Sequence, residues 1–128
     1  MKKVIFTEKA TKPTAPYSQA IVAGNTVYLA GVCGDDPVTG ELKMDSIEEE
    51  STYAMENLKA TIEAAGGTMN DIVKVSVFMT DLSYFPAFNR VYETYFDVLP
   101  ARIATQCAGL GGGARLELDA IAVLEETK

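Results

Sequence analysis

The stretch from Ser46 to Asp81, "SIEEESTYAMENLKATIEAAGGTMNDIVKVSVFMTD", constrains the fold more than any other. Ser46 and Glu49 form an S-x-x-E capping box, in which hydroxyl and carboxylate satisfy backbone N–H groups that a helix start leaves unpaired. Ala54, Met55, Leu58, Ile62 and Ala65 then recur at helical spacing until Gly66-Gly67 closes the helix. Glu48, Glu56, Lys59 and Glu63 occupy the other side. In "DIVKVSVFMTD" the period changes: Val73, Val75, Val77 and Met79 alternate with Lys74, Ser76, Phe78 and Thr80, as in a strand with one core face and one mixed face. A helix lying on a sheet is the expectation.

The flanking segments extend that unit. "KKVIFTE" reads as a short first strand and "KATKPTAP" as a proline-punctuated loop. "YSQAIVAGNTVYLAGV" gives two apolar runs joined at Gly24-Asn25, a hairpin signal, and the loop "CGDDPVTGELKM" follows. A second helix begins near Ser83 with Pro86 in its first turn, buries Phe88, Val91, Tyr92, Tyr95 and Phe96, and ends before Leu99-Pro100. "ARIATQCAG" and "ARLELDAIAVLEE" are strands joined by the glycine-rich connection Gly109 to Gly113, read as a flexible hairpin link. The predicted order is β-β-β-α-β-α-β-β. It implies an α+β fold, with a roughly six-stranded mixed sheet carrying both helices on one face. No linker or repeat divides the chain, so residues 1–128 are expected to form one domain. The other sheet face would carry Phe78, Ile121 and Val123 among polar residues. Such a face is usually completed by another subunit, which predicts a homo-oligomer with clefts between its subunits.

Composition narrows the chemistry. The net charge is -7, from 18 acidic and 11 basic residues, and no segment gathers Lys or Arg to neutralise a run of phosphates. Nucleic acid is therefore not expected as the main partner. Histidine is absent, which removes His triads, imidazole bases and His metal ligands together. Cys33 and Cys107, in apolar strand-like contexts, cannot build a structural zinc site and read as buried small hydrophobes. No metal and no cofactor is expected. No apolar run is long enough to cross a bilayer, and "MKKVIFTEKA" has too few apolar residues for a signal-peptide core, so the expected location is cytoplasmic.

Carboxylates, Arg, Tyr, hydroxyls, thiols and backbone groups remain. Arg102 shares strand parity with Ala104 and Gln106. If that set lies on the uncovered face, Arg102 enters a cleft lined by small residues, where its planar guanidinium suits a carboxylate. The competing reading is a sheet-edge arginine that discourages aggregation or bridges to a neighbouring acid. Glu117 shares its face with Arg115, Asp119, Ile121 and Val123. A hairpin turning between Gly109 and Leu110 would set Glu117 opposite Arg102, whereas a turn centred on the glycines would shift the pairing. Glu117 is then either half of an ion pair or a carboxyl group held beside a bound anion, able to shuttle protons. Gly109 to Gly113 lacks the Lys-Ser/Thr and the following helix of a phosphate loop. Tyr17, in "APYSQA", stands at a loop-to-strand transition, placed for packing or to cap a pocket.

Taken in order, "APYSQA", "VYLAG", "ENLKATIEAAGG", "VKVSVFMTDLSYF", "FNRVYETYF", "PAR" and "LELDAIA" resemble the RidA/YjgF family of enamine/imine deaminases, over about Pro16 to Val123. The resemblance implies a chorismate-mutase-like subunit and a homotrimer with ligand clefts between subunits. It further implies hydrolysis of 2-imino or 2-enamino acids, such as 2-aminoacrylate and 2-iminobutanoate, to 2-keto acids and ammonia. The family's carboxylate-binding arginine falls on Arg102, its acid/base glutamate on Glu117, its cleft tyrosine on Tyr17 and its second-helix asparagine on Asn89. Backbone groups near Ala104 would orient the imine. Three positions depart from the pattern. Ala30-Gly31-Val32 replaces Ser-Gly-Gln, Ala104 replaces a hydroxyl or thiol, and Gly111 to Gly113 replaces a basic loop. A non-catalytic trimer that binds or senses keto acids is the alternative function; it would use Arg102 equally well and has no need of a proton shuttle at Glu117. Nuclease or translation-inhibiting activity is disfavoured by the acidic charge and the missing histidine.

Overall fold

A computed structural model describes residues 2–125. Its strands and helices follow the predicted order: β1 (Lys2–Ile5), β2 (Ala20–Ala23), β3 (Thr26–Val32), α1 (Ile47–Ala64), β4 (Ile72–Met79), α2 (Phe85–Tyr92), β5 (Ala101–Gln106) and β6 (Leu116–Val123). The six strands form one mixed sheet in the order β1-β2-β3-β6-β4-β5. The Ser46 hydroxyl caps α1 by accepting from the Glu49 N–H at 3.0 Å, while the Glu49 carboxylate reaches back to the Asp45 N–H at 3.2 Å. Gly66, at φ +92°, ends the helix in a conformation that glycine adopts without strain. Ala23 pairs with Thr26 across the two-residue Gly24-Asn25 turn, with Gly24 at φ +62°.

Both helices lie over one face of the sheet. Val27, Leu29, Val75, Val77, Met79, Leu116, Leu118, Ala120 and Ala122 are buried against Met55, Leu58 and Ile62 of α1 and Phe88 of α2. Phe88, Tyr92 and Phe96 continue this core as an aromatic ladder, with centroids 5.4 and 4.9 Å apart. The opposite face leaves Tyr28, Ile121 and Val123 exposed. Val73 departs from the predicted alternation. Ile72 pairs with Ala122 and Lys74 with Ile121, so one extra residue bulges from β4; Ile72 is buried and Val73 is turned outward.

The predicted hairpin between the last two strands does not form. Strand β5 pairs in parallel with β4, and β6 pairs antiparallel with the other side of β4. The physical reason is α2: a helix between two strands returns the chain in the same direction, which permits parallel pairing. Residues 107–115 then cross the end of β4, with Gly112 and Gly113 at φ +69° and +81° making the turn.

Arg115, at the end of that crossing, does not share the Glu117 face as the alternation suggested. Its Nε donates to Oε1 of the fully buried Glu50 at 2.7 Å, its backbone N–H donates to Oε2 at 2.8 Å, and its Nη2 donates to the Met44 carbonyl at 2.9 Å. The pair ties α1 to the entry of β6. Removing Arg115 strands the Glu50 charge in the interior, so Arg115→Ala is expected to lower stability by about 3–5 kcal/mol. Chemical denaturation measures this, and a near-neutral effect would remove the pair from the fold's support.

Candidate functional site

Glu117 opens onto a cleft of about 890 Å³ whose lining includes Tyr17, Gly31, Cys33, Asp35, Gly112 and Glu117 itself. Strand parity positions the glutamate: Leu116 and Leu118 are wholly buried on the helix side, so the intervening side chain is directed to the other face. The wall opposite is a bulge in β3. Leu29 pairs with Ala120 and Val32 with Leu118, which leaves one residue unmatched within Ala30-Gly31. Glu117 packs against the bare backbone there, since a Cβ on Gly31 would overlap its Oε2. The Cys33 thiol donates to its Oε1 at 3.5 Å.

Two buried amides pin the cleft's other walls. Gln19 accepts from the Thr7 N–H at 2.7 Å and donates to the Thr7 and Thr11 carbonyls, each at 3.0 Å. Asn57 of α1 accepts from the Thr11 N–H at 3.2 Å and donates to the carbonyls of Cys33 and Asp35 at 3.2 and 2.8 Å. The sequence reading missed both. A signal existed for Asn57, a polar residue within the buried stripe of a helix, where an amide must find partners.

The cleft is electrostatically acidic at its base. Burial pushes the Asp35 carboxyl above its ordinary range, a backbone hydrogen bond opposes this, and the charges of Glu117 and Glu50 add to the rise. Burial, then Glu117 and then Asp35, push the Cys33 thiol far above the range where thiolates form. Cys33 is therefore not the buried small hydrophobe expected; it is half-buried, protonated and in contact with a carboxylate. Gly111 and Gly112 also line this cleft, which gives the glycine run a place at its rim.

Arg102 forms a second centre, separate from the first. Its strand partner is Val75 and that of Ala104 is Val77, both on the helix-covered side. Arg102, Ala104 and Gln106 thus share the helix side, and the uncovered face of β5 goes to Ile103 and Thr105. The conditional placement of Arg102 on the uncovered face is corrected accordingly. So is its pairing with Glu117: β4 lies between them, and their side chains leave opposite faces of the sheet.

Strand β5 is the sheet edge, exposed along its whole length, and Arg102 emerges there beside α2. Its Nη1 donates to Asn89 Oδ1 at 2.9 Å, and its guanidinium carbon lies 4.9 Å from the Tyr92 ring centroid and 5.7 Å from that of Phe85. Stacking and one hydrogen bond orient the fork while leaving most of its five donors free. Among the described residues Arg102 makes no ion pair, so the sheet-edge reading in which it bridges a neighbouring acid is not what the protomer shows. Asn89 acts on the arginine. Tyr17, half exposed, stands at the Glu117 cleft.

The family described as Endoribonuclease L-PSP matches residues 7–124. The chain belongs to the RidA/YjgF family. A RutC family protein of Pyrococcus horikoshii is 45% identical over 126 residues, covering 98% of this chain and 100% of the relative. The mouse 2-iminobutanoate/2-iminopropanoate deaminase is 43% identical over 124 residues, covering 96% of this chain and 92% of the relative. Among solved structures, RidA from the Antarctic bacterium Psychrobacter superposes with a TM-score of 0.92 at 41% identity, covering 95% of this chain and 99% of that one. E. coli TdcF with bound serine superposes with a TM-score of 0.93 at 36% identity, covering 96% and 99%. The α+β architecture of two helices on a six-stranded mixed sheet is thus that of the RidA/YjgF proteins. Among the described residues no helix is long and apolar enough to cross a membrane.

Proposed function

We propose that this RidA/YjgF chain hydrolyses reactive 2-imino and 2-enamino acids, such as 2-iminobutanoate and 2-aminoacrylate, to 2-keto acids and ammonia. The site lies in clefts between the subunits of a homotrimer. The observation that carries the reading is the split between an oriented, unpaired Arg102 on the β5 edge and a cleft-facing Glu117 on the opposite sheet face. One protomer cannot bring the two to a single small molecule. A second copy, its β5 edge against the first copy's uncovered face, supplies the missing half. Relatives above 40% identity named for this deamination, and a relative holding serine, a small amino acid with a carboxylate, support the substrate class.

Arg102 clamps the substrate carboxylate through its remaining donors, held in orientation by Asn89 and the two rings. Unpaired backbone groups at the outer edge of β5 near Ala104 orient the imine, and Tyr17 closes the cleft from the partner's side. An imine carbon is already electrophilic, so the protein's task is to place a water and move protons. Glu117 accepts a proton as water oxygen bonds to C2. It returns that proton to the nitrogen, giving a carbinolamine; the new C2 hydroxyl then gives up its proton, Glu117 passes it to the nitrogen, the C2–N bond breaks, and ammonia leaves as the C2 carbonyl forms. An enamino acid first takes a proton at its β-carbon to become the imine. No metal or cofactor takes part in this scheme.

The test generates the substrate in situ with a serine or threonine dehydratase and follows keto-acid release, or loss of the semicarbazide-trappable intermediate, with and without this protein. Acceleration is expected. A pure trimer that leaves the rate unchanged would defeat the enzymatic reading and leave ligand binding as the surviving alternative.

A further inference from the structure

We infer that Cys33 is a positioning residue for Glu117: its thiol proton holds Oε1 of the carboxylate, so that Oε2 alone is presented to the attacking water. The inference rests on the deamination reading and assigns this chain's own means of aiming its base. A glutamate side chain has three rotatable bonds, and strand parity fixes only the face from which it leaves the sheet. Two contacts fix the rest. Cys33 Sγ donates to Oε1 at 3.5 Å, an ordinary distance for a sulfur donor, and the missing Cβ of Gly31 leaves the space that Oε2 occupies. Cys33, Gly31 and Glu117 all line the same cleft, and among the described residues Oε2 accepts no hydrogen bond.

The thiol is itself held in place by the fold. The carbonyl of Cys33 accepts from Nδ2 of Asn57, a side chain only 1% exposed, so the backbone carrying the thiol is tied to α1. Burial first, and then the carboxylates of Glu117, Asp35 and Glu50, oppose ionisation of the thiol. It remains a donor. That matters because 2-aminoacrylate-type substrates are electrophiles, and a thiolate at this position would compete with water for them.

The deciding experiment combines kinetics with vibrational spectroscopy on the intact oligomer. Cys33→Ala is expected to lower kcat about tenfold, the loss expected for one hydrogen bond to a charged group, with KM near the wild-type value. Cys33→Ser, which restores a donor, is expected to recover most of that loss at an unchanged melting temperature. Independently, in a Cys107→Ala background where Cys33 is the sole thiol, the S–H stretching band is expected at the low frequency of a donating thiol. It should move up when Glu117→Gln removes the charged acceptor. A kcat indifferent to Cys33→Ala, equal losses in the alanine and serine variants, or a band indifferent to Glu117→Gln would each overturn the role. An inactive wild type would defeat the deamination reading, whereas an active wild type indifferent to Cys33 would defeat the positioning role alone.

Discussion

Arg102→Ala is expected to reduce kcat/KM for 2-iminobutanoate about 10²–10³-fold, the effect of truncating one partner of a hydrogen-bonded charge pair in a desolvated site. The loss should fall on KM and kcat together. A substrate without its clamp binds weakly, and its imine carbon is no longer held against the water that Glu117 activates. Stability should barely respond. Arg102 is exposed, and the contacts it gives up are its stacking on Tyr92 and Phe85, worth about 0.5–1 kcal/mol at such sites, and its bond to Asn89. Arg102→Lys keeps the charge and loses the fork, so it should fall between wild type and alanine. Asn89→Ala should act in the same direction more weakly, because Asn89 Oδ1 orients one nitrogen of the five-donor group. Steady-state keto-acid release on the folded oligomer measures all three. Near-wild-type turnover in Arg102→Ala would place the carboxylate clamp elsewhere.

That Arg102 mattered was legible in the sequence; where it pointed was not. Local chemistry marks element ends, which is why Ser46, Gly66 and the Gly24-Asn25 turn were found where the fold uses them. Alternation marks faces within one strand, and it placed the cores of β4 and β6 correctly apart from Val73, since a bulge adds a residue without altering composition. Strand neighbours are set by contacts far apart in sequence, and there the reading failed. The helix between β4 and β5 pointed to a parallel pair, yet the glycine run drew the eye to a hairpin. From that error followed the Arg102–Glu117 pairing; the conditional placement of Arg102 on the uncovered face rested on strand parity, which groups residues on a face without telling which face is covered. Cys33 was missed for a related reason: its partner is on β6, brought beside it by the bulge in β3, and nothing near residue 33 announces that.

Glu117→Gln is expected to keep keto-acid binding while losing turnover by about 10²-fold or more, the usual contribution of a positioned acid/base group. Glutamine retains size and one acceptor oxygen but cannot take a proton from water, so the loss should appear in kcat. A protein that only binds or senses keto acids would show no such asymmetry, because Glu117 would then have no proton to move. The decisive form of the experiment mixes this variant with Arg102→Ala by co-expression or joint refolding. Each chain alone lacks half of the chemistry, and within one protomer the two residues leave opposite sheet faces with β4 between them. If each cleft takes Glu117 from one subunit and Arg102 from its neighbour, random assortment makes about one cleft in four intact. Activity should rise from near zero toward that fraction of wild type. If both residues served a site within one protomer, every cleft in the mixture would lack one of them, and mixing two inactive variants would restore nothing.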